Sequence, residues 1–101
     1  MQVPALIDTG AQESCIDEDL AQQLHLPLID QEVMSGISGP TTLNVYLAHI
    51  AIPAMVTQYG RFTGVHLQKG GQHHQALIGR TLLTDMLVIY DGHTGTVKLA
   101  R

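Results

Sequence analysis

Apolar positions in this chain fall into short runs whose internal spacing changes from segment to segment. From Val3 to Ile7 only Pro4 interrupts an apolar stretch that ends abruptly at Asp8. A run this short predicts a buried strand, with the Pro at its beginning or edge. From Ser14 onward the spacing lengthens, and Ile16, Leu20 and Leu24 recur every four residues. That period predicts a helix across "SCIDEDLAQQLHLP". Asp17 is placed to cap it, Glu18 and Asp19 suit the positive end of its dipole, and Pro27 halts it.

Alternation takes over in "LIDQEVMSGISGPTTLNVYLAHIAIP". Leu43, Val45 and Leu47 alternate with Asn44, Tyr46 and Ala48, the period of a half-buried strand. Gly36 and Gly39 bracket Ile37 and Ser38, so the segment predicts a long hairpin whose glycine-rich tip carries one apolar residue. Such a tip is either an ordinary turn or a mobile flap. Beyond it, "AMVTQY" and "FTGVHLQ" predict two strands joined at Gly60-Arg61, and "KGGQHHQ" a polar loop. "ALIGRTLLTDMLVIYDGHTGTVKLA" predicts a strand ending at Gly79, a short helix over residues 80–85, and a terminal hairpin turning at Asp91-Gly92. Many short strands and two small helices indicate an all-β barrel or sandwich.

Length and composition narrow this picture. At 101 residues, 45% hydrophobic and 14% charged, the chain is expected to form a single globular domain spanning 1–101. So low a charge fraction leaves apolar surface to spare and favours an oligomer. The net charge of −4 argues against a nucleic-acid partner held by phosphate contacts, and Tyr46, Tyr59, Phe62 and Tyr90 form no stacking array. The charge is uneven: residues 1–32 carry seven acids and no Lys or Arg, whereas residues 33–101 carry five bases against two acids. The two parts should attract each other in the fold.

Cys15 is the sole cysteine, which excludes an intrachain disulfide and suggests a reducing, cytoplasmic setting, subject to any targeting segment upstream of Met1. No run of about 18 apolar residues marks a membrane span, and no charged-then-apolar leader marks secretion. Cys15 is expected to be a small buried hydrophobe rather than a nucleophile. His66, His73, His74 and His93 lack the spacing of metal ligands, so no metal is expected.

The candidate chemistry centres on Asp8, because a charge closing an apolar run is costly to bury unless it is hydrogen-bonded or used. Thr9 and Gly10 after it suit a tight turn. "LIDTG" and "LIGR" match in type, each placing two aliphatic residues before a turn residue. The combination of an apolar-apolar-Asp-Thr-Gly-Ala run, Ser14, a glycine-rich hairpin and a later Gly-Arg motif resembles the retropepsin-like aspartic proteases. The bacterial branch is nearest. The likeness runs from about Val3 to the end and is weakest in the middle third.

This resemblance implies a closed acid-protease barrel, one lobe per chain, lacking the N-terminal strand that relatives carry. It implies that Leu6-Ile7-Asp8 and Leu77-Ile78-Gly79 cross in a figure shaped like the letter psi. The activity implied is that of a cofactor-free aspartic endopeptidase, a homodimer acting on a peptide or protein through Asp8 of both chains and an activated water. Peptide hydrolysis by this route needs one carboxylate and one carboxylic acid, and two carboxyls about 3 Å apart share one proton. By the same resemblance Thr9 hydrogen-bonds across the pair and Gly10 admits the substrate backbone. Ala11, Gln12 and Ile78 line the cleft, Gly36-Ile37-Ser38-Gly39 form a flap, and Gly79 and Arg80 are structural. Relatives often carry an Asp, paired with the arginine, where this chain has Gln12. Any contact of Gln12 with Arg80 is therefore expected to be a neutral-to-charged hydrogen bond, with Glu13 one position off as a substitute. The alternative is a catalytically weak or inactive dimeric module of the same fold that binds peptides or supports assembly.

Overall fold

The computed structural model describes residues 2–52 and 56–100. Along the chain lie β1 (Ala5–Ile7), β2 (Ser14–Asp17), α1 (Glu18–Gln23), β3 (Leu28–Gly36) and β4 (Gly39–Ile52). They are followed by β5 (Val56–Val65), β6 (Ala76–Ile78), α2 (Arg80–Leu83), β7 (Leu87–Asp91) and β8 (Thr96–Ala100). Six strands form one sheet in the order β1-β6-β2-β5-β4-β3, and β7 pairs with β8 as a separate antiparallel hairpin. The all-β class with two short helices is the retropepsin-like fold expected. The pairing does not close into a barrel: among the described residues β1 and β3 stand at opposite edges and do not meet.

The long hairpin forms, but its alternation is read from the wrong side: Tyr46 and Ala48 join the core, whereas Leu43 and Leu47 are only half-buried. The hairpin also reaches beyond the rest of the sheet. β4 pairs with β3 from Tyr46 to Gly39, but with β5 only from Val45 to Ile52. The part of β4 before Val45 is therefore backed by β3 alone. It projects as a two-stranded arm.

Three sequence expectations give way to tertiary pairing. Ser14–Asp17 is a strand, not the first turn of a helix, because both its edges are used. It runs parallel to β5 and antiparallel to β6, with Cys15 opposite both Thr63 and Leu77. That ladder outweighs the helical period of Ile16 and Leu20, which still share one core. The helix begins only at Glu18, where the Asp17 carboxylate accepts the Leu20 N–H at 3.3 Å. Secondly, β5 runs unbroken through Gly60-Arg61, rather than as two strands; Ala54 and Met55 lie outside the described residues. Gly60 is there for packing, since a Cβ would lie 2.9 Å from Cδ2 of Leu82. Thirdly, β1 is an edge strand and not a buried one: Ala5 and Leu6 are exposed and Ile7 is half-buried. α2 is also shorter than predicted, ending at Leu83 before Asp85 takes a positive φ of 66°.

Ile16, Leu20, Tyr46, Phe62, Ile78 and Leu82 bring β2, α1, β4, β5, β6 and α2 into one core. The uneven charge is paired across it as expected: Arg61 meets Asp30 at 3.1 Å and Glu32 at 3.6 Å, and Lys69 meets Asp19 at 3.3 Å. All these side chains are substantially exposed, so solvent screens each pair and it adds little to stability.

Candidate active site

β1 and β6 run side by side in parallel, with Ile7 opposite Ile78, and each ends in a loop. The pairing continues one step past the strand, where the Asp8 N–H donates to the Ile78 carbonyl at 2.9 Å. β6 lies between β1 and β2, so residues 8–13 must wrap around its end. Gly79, the residue after β6, sits beneath that wrap.

The start of α2 locks the wrap in place. A helix leaves its first N–H groups without intrahelical partners, and α2 has no capping side chain. The Asp8 loop supplies acceptors instead. Arg80 N–H donates to the Ala11 carbonyl at 2.9 Å and Thr81 N–H to that of Gln12 at 3.1 Å. Gly79 N–H donates to Oγ of Ser14, which is wholly buried, at 2.9 Å. This approach requires glycine at position 79, because a Cβ there would collide with the Glu13 carbonyl. The Arg80 guanidinium reaches further and donates from Nη1 to the Thr9 carbonyl at 2.8 Å. The expected Gln12 side-chain partner is thus replaced by a main-chain oxygen, and Gln12 takes part through its carbonyl.

Within this frame Asp8 is half-buried at the strand end. Its Oδ1 accepts the Gly10 N–H at 3.0 Å, and its carbonyl accepts the Ala11 N–H at 3.2 Å. A Cβ on Gly10 would stand 3.2 Å from that same Oδ1, so the turn leaves little room for any side chain there. Thr9 and Gly10 are exposed beside it.

Alternation along β6 decides what faces the Asp8 loop. Ile78, expected to line the cleft, has its side chain in the core. Leu77 is half-buried opposite Cys15 and shares a face with it. Burial, then the charges of Asp8, Glu32 and Glu13, push the Cys15 thiol up from its ordinary range. The thiol is half-buried rather than fully so, and it stays protonated, contrary to what a cysteine nucleophile needs. Leu77 was not singled out in the sequence, because alternation through Ala76, Leu77 and Ile78 does not by itself say which side of β6 is buried.

The hairpin tip is the two-residue turn Ile37-Ser38 between paired Gly36 and Gly39. Gly39 has φ of 106°, a left-handed conformation that glycine adopts without strain. Ile37 is wholly exposed at the end of the arm.

Two acids have roles beyond those the sequence indicated. Asp17, 2% exposed, accepts N–H groups from Leu20, Leu67 and Gln68, tying α1 to the segment after β5. Glu18 accepts through Oε1 from Asn44 at 2.8 Å and Tyr46 at 2.9 Å. Among the described residues no group of three or more His, Cys, Asp or Glu is arranged to hold a metal. No helix among them is long and apolar enough to cross a membrane.

An Asp-Thr-Gly loop carried on a strand end, clamped by a Gly-Arg helix start and accompanied by a projecting hairpin, defines a lobe of the retropepsin-like class. A family model described as aspartyl protease matches residues 2–82, and the chain belongs to that family. No curated protein and no solved structure matches it.

Proposed function

We propose that the protein is an aspartic endopeptidase whose catalytic pair is Asp8 from each of two chains. The observation that carries this reading is the clamped Asp8 loop. Its carboxyl is oriented by Gly10 N–H and its backbone is fixed to Ile78, Arg80 and Thr81. The chain holds a single Asp-Thr-Gly, so a pair requires a second copy. Exposed Leu6 on the edge strand, with Leu87, Ile89, Tyr90 and Val97 on the β7–β8 hairpin, supplies apolar surface for that copy to cover.

In the reaction, water lies between the two carboxyls. The ionised one removes a proton as the water oxygen attacks the peptide carbonyl, and the protonated one donates to the carbonyl oxygen. The tetrahedral diol then collapses: the C–N bond breaks, the amine leaves with the proton that the first carboxylate took from water, and a diol hydroxyl gives its proton to the other carboxylate as the product acid forms, which restores the shared proton. No cofactor is needed. Substrate lies extended and bonded through its main chain, while residues 36–39 close over it and exclude water. Thr9 bridges the pair, and Ala11 and Gln12 line the cleft.

Asp8→Asn should abolish cleavage of a peptide library while sedimentation and circular dichroism stay unchanged; residual cleavage at the wild-type rate refutes the mechanism. A statine-type inhibitor should tighten the dimer in sedimentation. Activity should be higher below neutral pH, since the pair must retain one proton.

A further inference from the structure

Where β4 outruns β5, a second polar site opens at the root of the arm. Glu18 lies at its floor. Oε1 of this carboxylate accepts from Asn44 Nδ2 at 2.8 Å, Tyr46 Oη at 2.9 Å and Gln22 Nε2 at 3.4 Å. Oε2 is buried and has no hydrogen-bond partner. A carboxylate with one oxygen fully served and the other buried and unserved is an unfinished site, because desolvating that oxygen is unfavourable until a donor meets it.

Open space adjoins the Glu18 side chain. A pocket of about 280 Å³ under the arm, lined by Met34, Gly36 and Val65 among others, adjoins one of about 220 Å³ bounded by Glu18, Thr41–Asn44 and Gly64–His66. They share Thr41, Leu43 and Val65. Gly64 makes the carboxylate's position possible, since a Cβ there would collide with Oε2. The charge is held on both strands of the arm: Asn44 binds Glu18 through Nδ2 and accepts from Gln31 Nε2 on β3 at 3.1 Å through Oδ1.

We infer that this pocket binds a guanidinium or alkylammonium group, with Glu18 Oε2 as its counter-charge. The donor set favours an organic cation over a metal ion. Only one carboxylate is present, beside hydroxyl and amide groups and the His66 imidazole, whereas hard divalent cations take six or more oxygens, often several carboxylates. A cation with several N–H groups serves the orphan oxygen and can also donate to Thr41 or Thr42. The group arrives either as a free small molecule or as the Lys or Arg side chain of a peptide lying along the groove. The second source rests on the endopeptidase reading; the first does not.

The test separates these. Titrate protein carrying ¹³C-labelled Glu with n-propylguanidinium chloride at fixed pH, using sodium chloride at equal ionic strength as control. A saturable shift of the Glu18 carboxyl signal, with movement of the Asn44 and Thr42 amides, is expected. Glu18→Gln, which keeps side-chain size, should weaken binding by on the order of tenfold or more. Thr42→Arg should place a cation in the pocket from within the chain and block the probe. Either variant's folding is checked by circular dichroism, and one folded variant suffices. A linear, salt-like response, or saturable binding that survives in the folded variant, overturns the site. Peptide profiling then assigns the source. A preference for a basic residue that vanishes in Glu18→Gln identifies a substrate side chain. Guanidinium binding without that preference identifies a free ligand. Binding is read without turnover, so an inactive enzyme would refute the endopeptidase reading and leave the cation site standing.

Discussion

The Arg80 guanidinium donates to the Thr9 carbonyl at 2.8 Å, joining residues 71 positions apart inside the loop that carries Asp8. This contact ties the strand-end loop to the helix start through a side chain, beside two main-chain bonds that do the same. On the proposed function, this contact makes Arg80 a positioning residue that acts on the loop rather than on substrate.

Arg80→Ala should therefore leave the fold intact, since Arg80 is exposed and a hydrogen bond of this kind contributes about 1 kcal/mol. Activity should fall more steeply, by roughly 10²-fold, if the carboxyl shifts by an ångström. Steady-state kinetics should place the loss mainly in kcat, with Arg80→Lys recovering part of it. An unchanged kcat would show that the two main-chain bonds hold the loop unaided.

Gly79→Ala tests the closeness of the two loops. The added methyl would meet the Glu13 carbonyl and lie 2.9 Å from that of Gln12, both main-chain atoms that cannot swing aside. A loss of roughly 1–3 kcal/mol is expected from overpacking of this kind, read as a lower urea midpoint. Wild-type stability would mean the wrap around β6 is looser than its hydrogen bonds indicate.

Asp17→Ala should be the most destabilising of these changes. It removes the acceptor of three N–H groups, two of them on the segment after β5, and leaves the donors in a buried setting. A cost of about 3 kcal/mol is expected, with Asp17→Asn milder because its carbonyl still accepts. Equilibrium unfolding in urea measures both.

Cys15 should alkylate slowly at neutral pH and rapidly only in alkali, because burial and neighbouring carboxylates hold its thiol above the ordinary range. The folded value is raised, so the linked stability is present below the unfolded thiol value of about 9 and is lost as pH rises through the folded one. Iodoacetamide rates from pH 7 to 10 check the first point. Rapid modification at pH 7 would contradict it.

What could be read from the residues was local. Alternation in Leu43–Ala48 and the Gly36–Gly39 bracket indicated the hairpin and its exposed apolar tip, but not that Tyr46 and Ala48 would face the core. Asp17 was legible as a helix cap, and Asp-Thr-Gly with Gly-Arg marked the two loops that meet. Those features depend on backbone preferences and on side chains a few positions apart. The rest depended on what lies across the fold. Ser14–Asp17 has the spacing of a helix and becomes a strand because β5 and β6 occupy both its edges. Gly60 looks like a turn and is a packing site for Leu82. Ile78 points to the core and Leu77 to the opposite face because β6 is fixed between β1 and β2, and a period of two alone does not say which side is buried. Arg80 finds a main-chain oxygen on Thr9, and Glu18 is left with one unserved oxygen over Gly64. Such partners are set by distance in space, which the order of residues specifies only through the whole packed sheet.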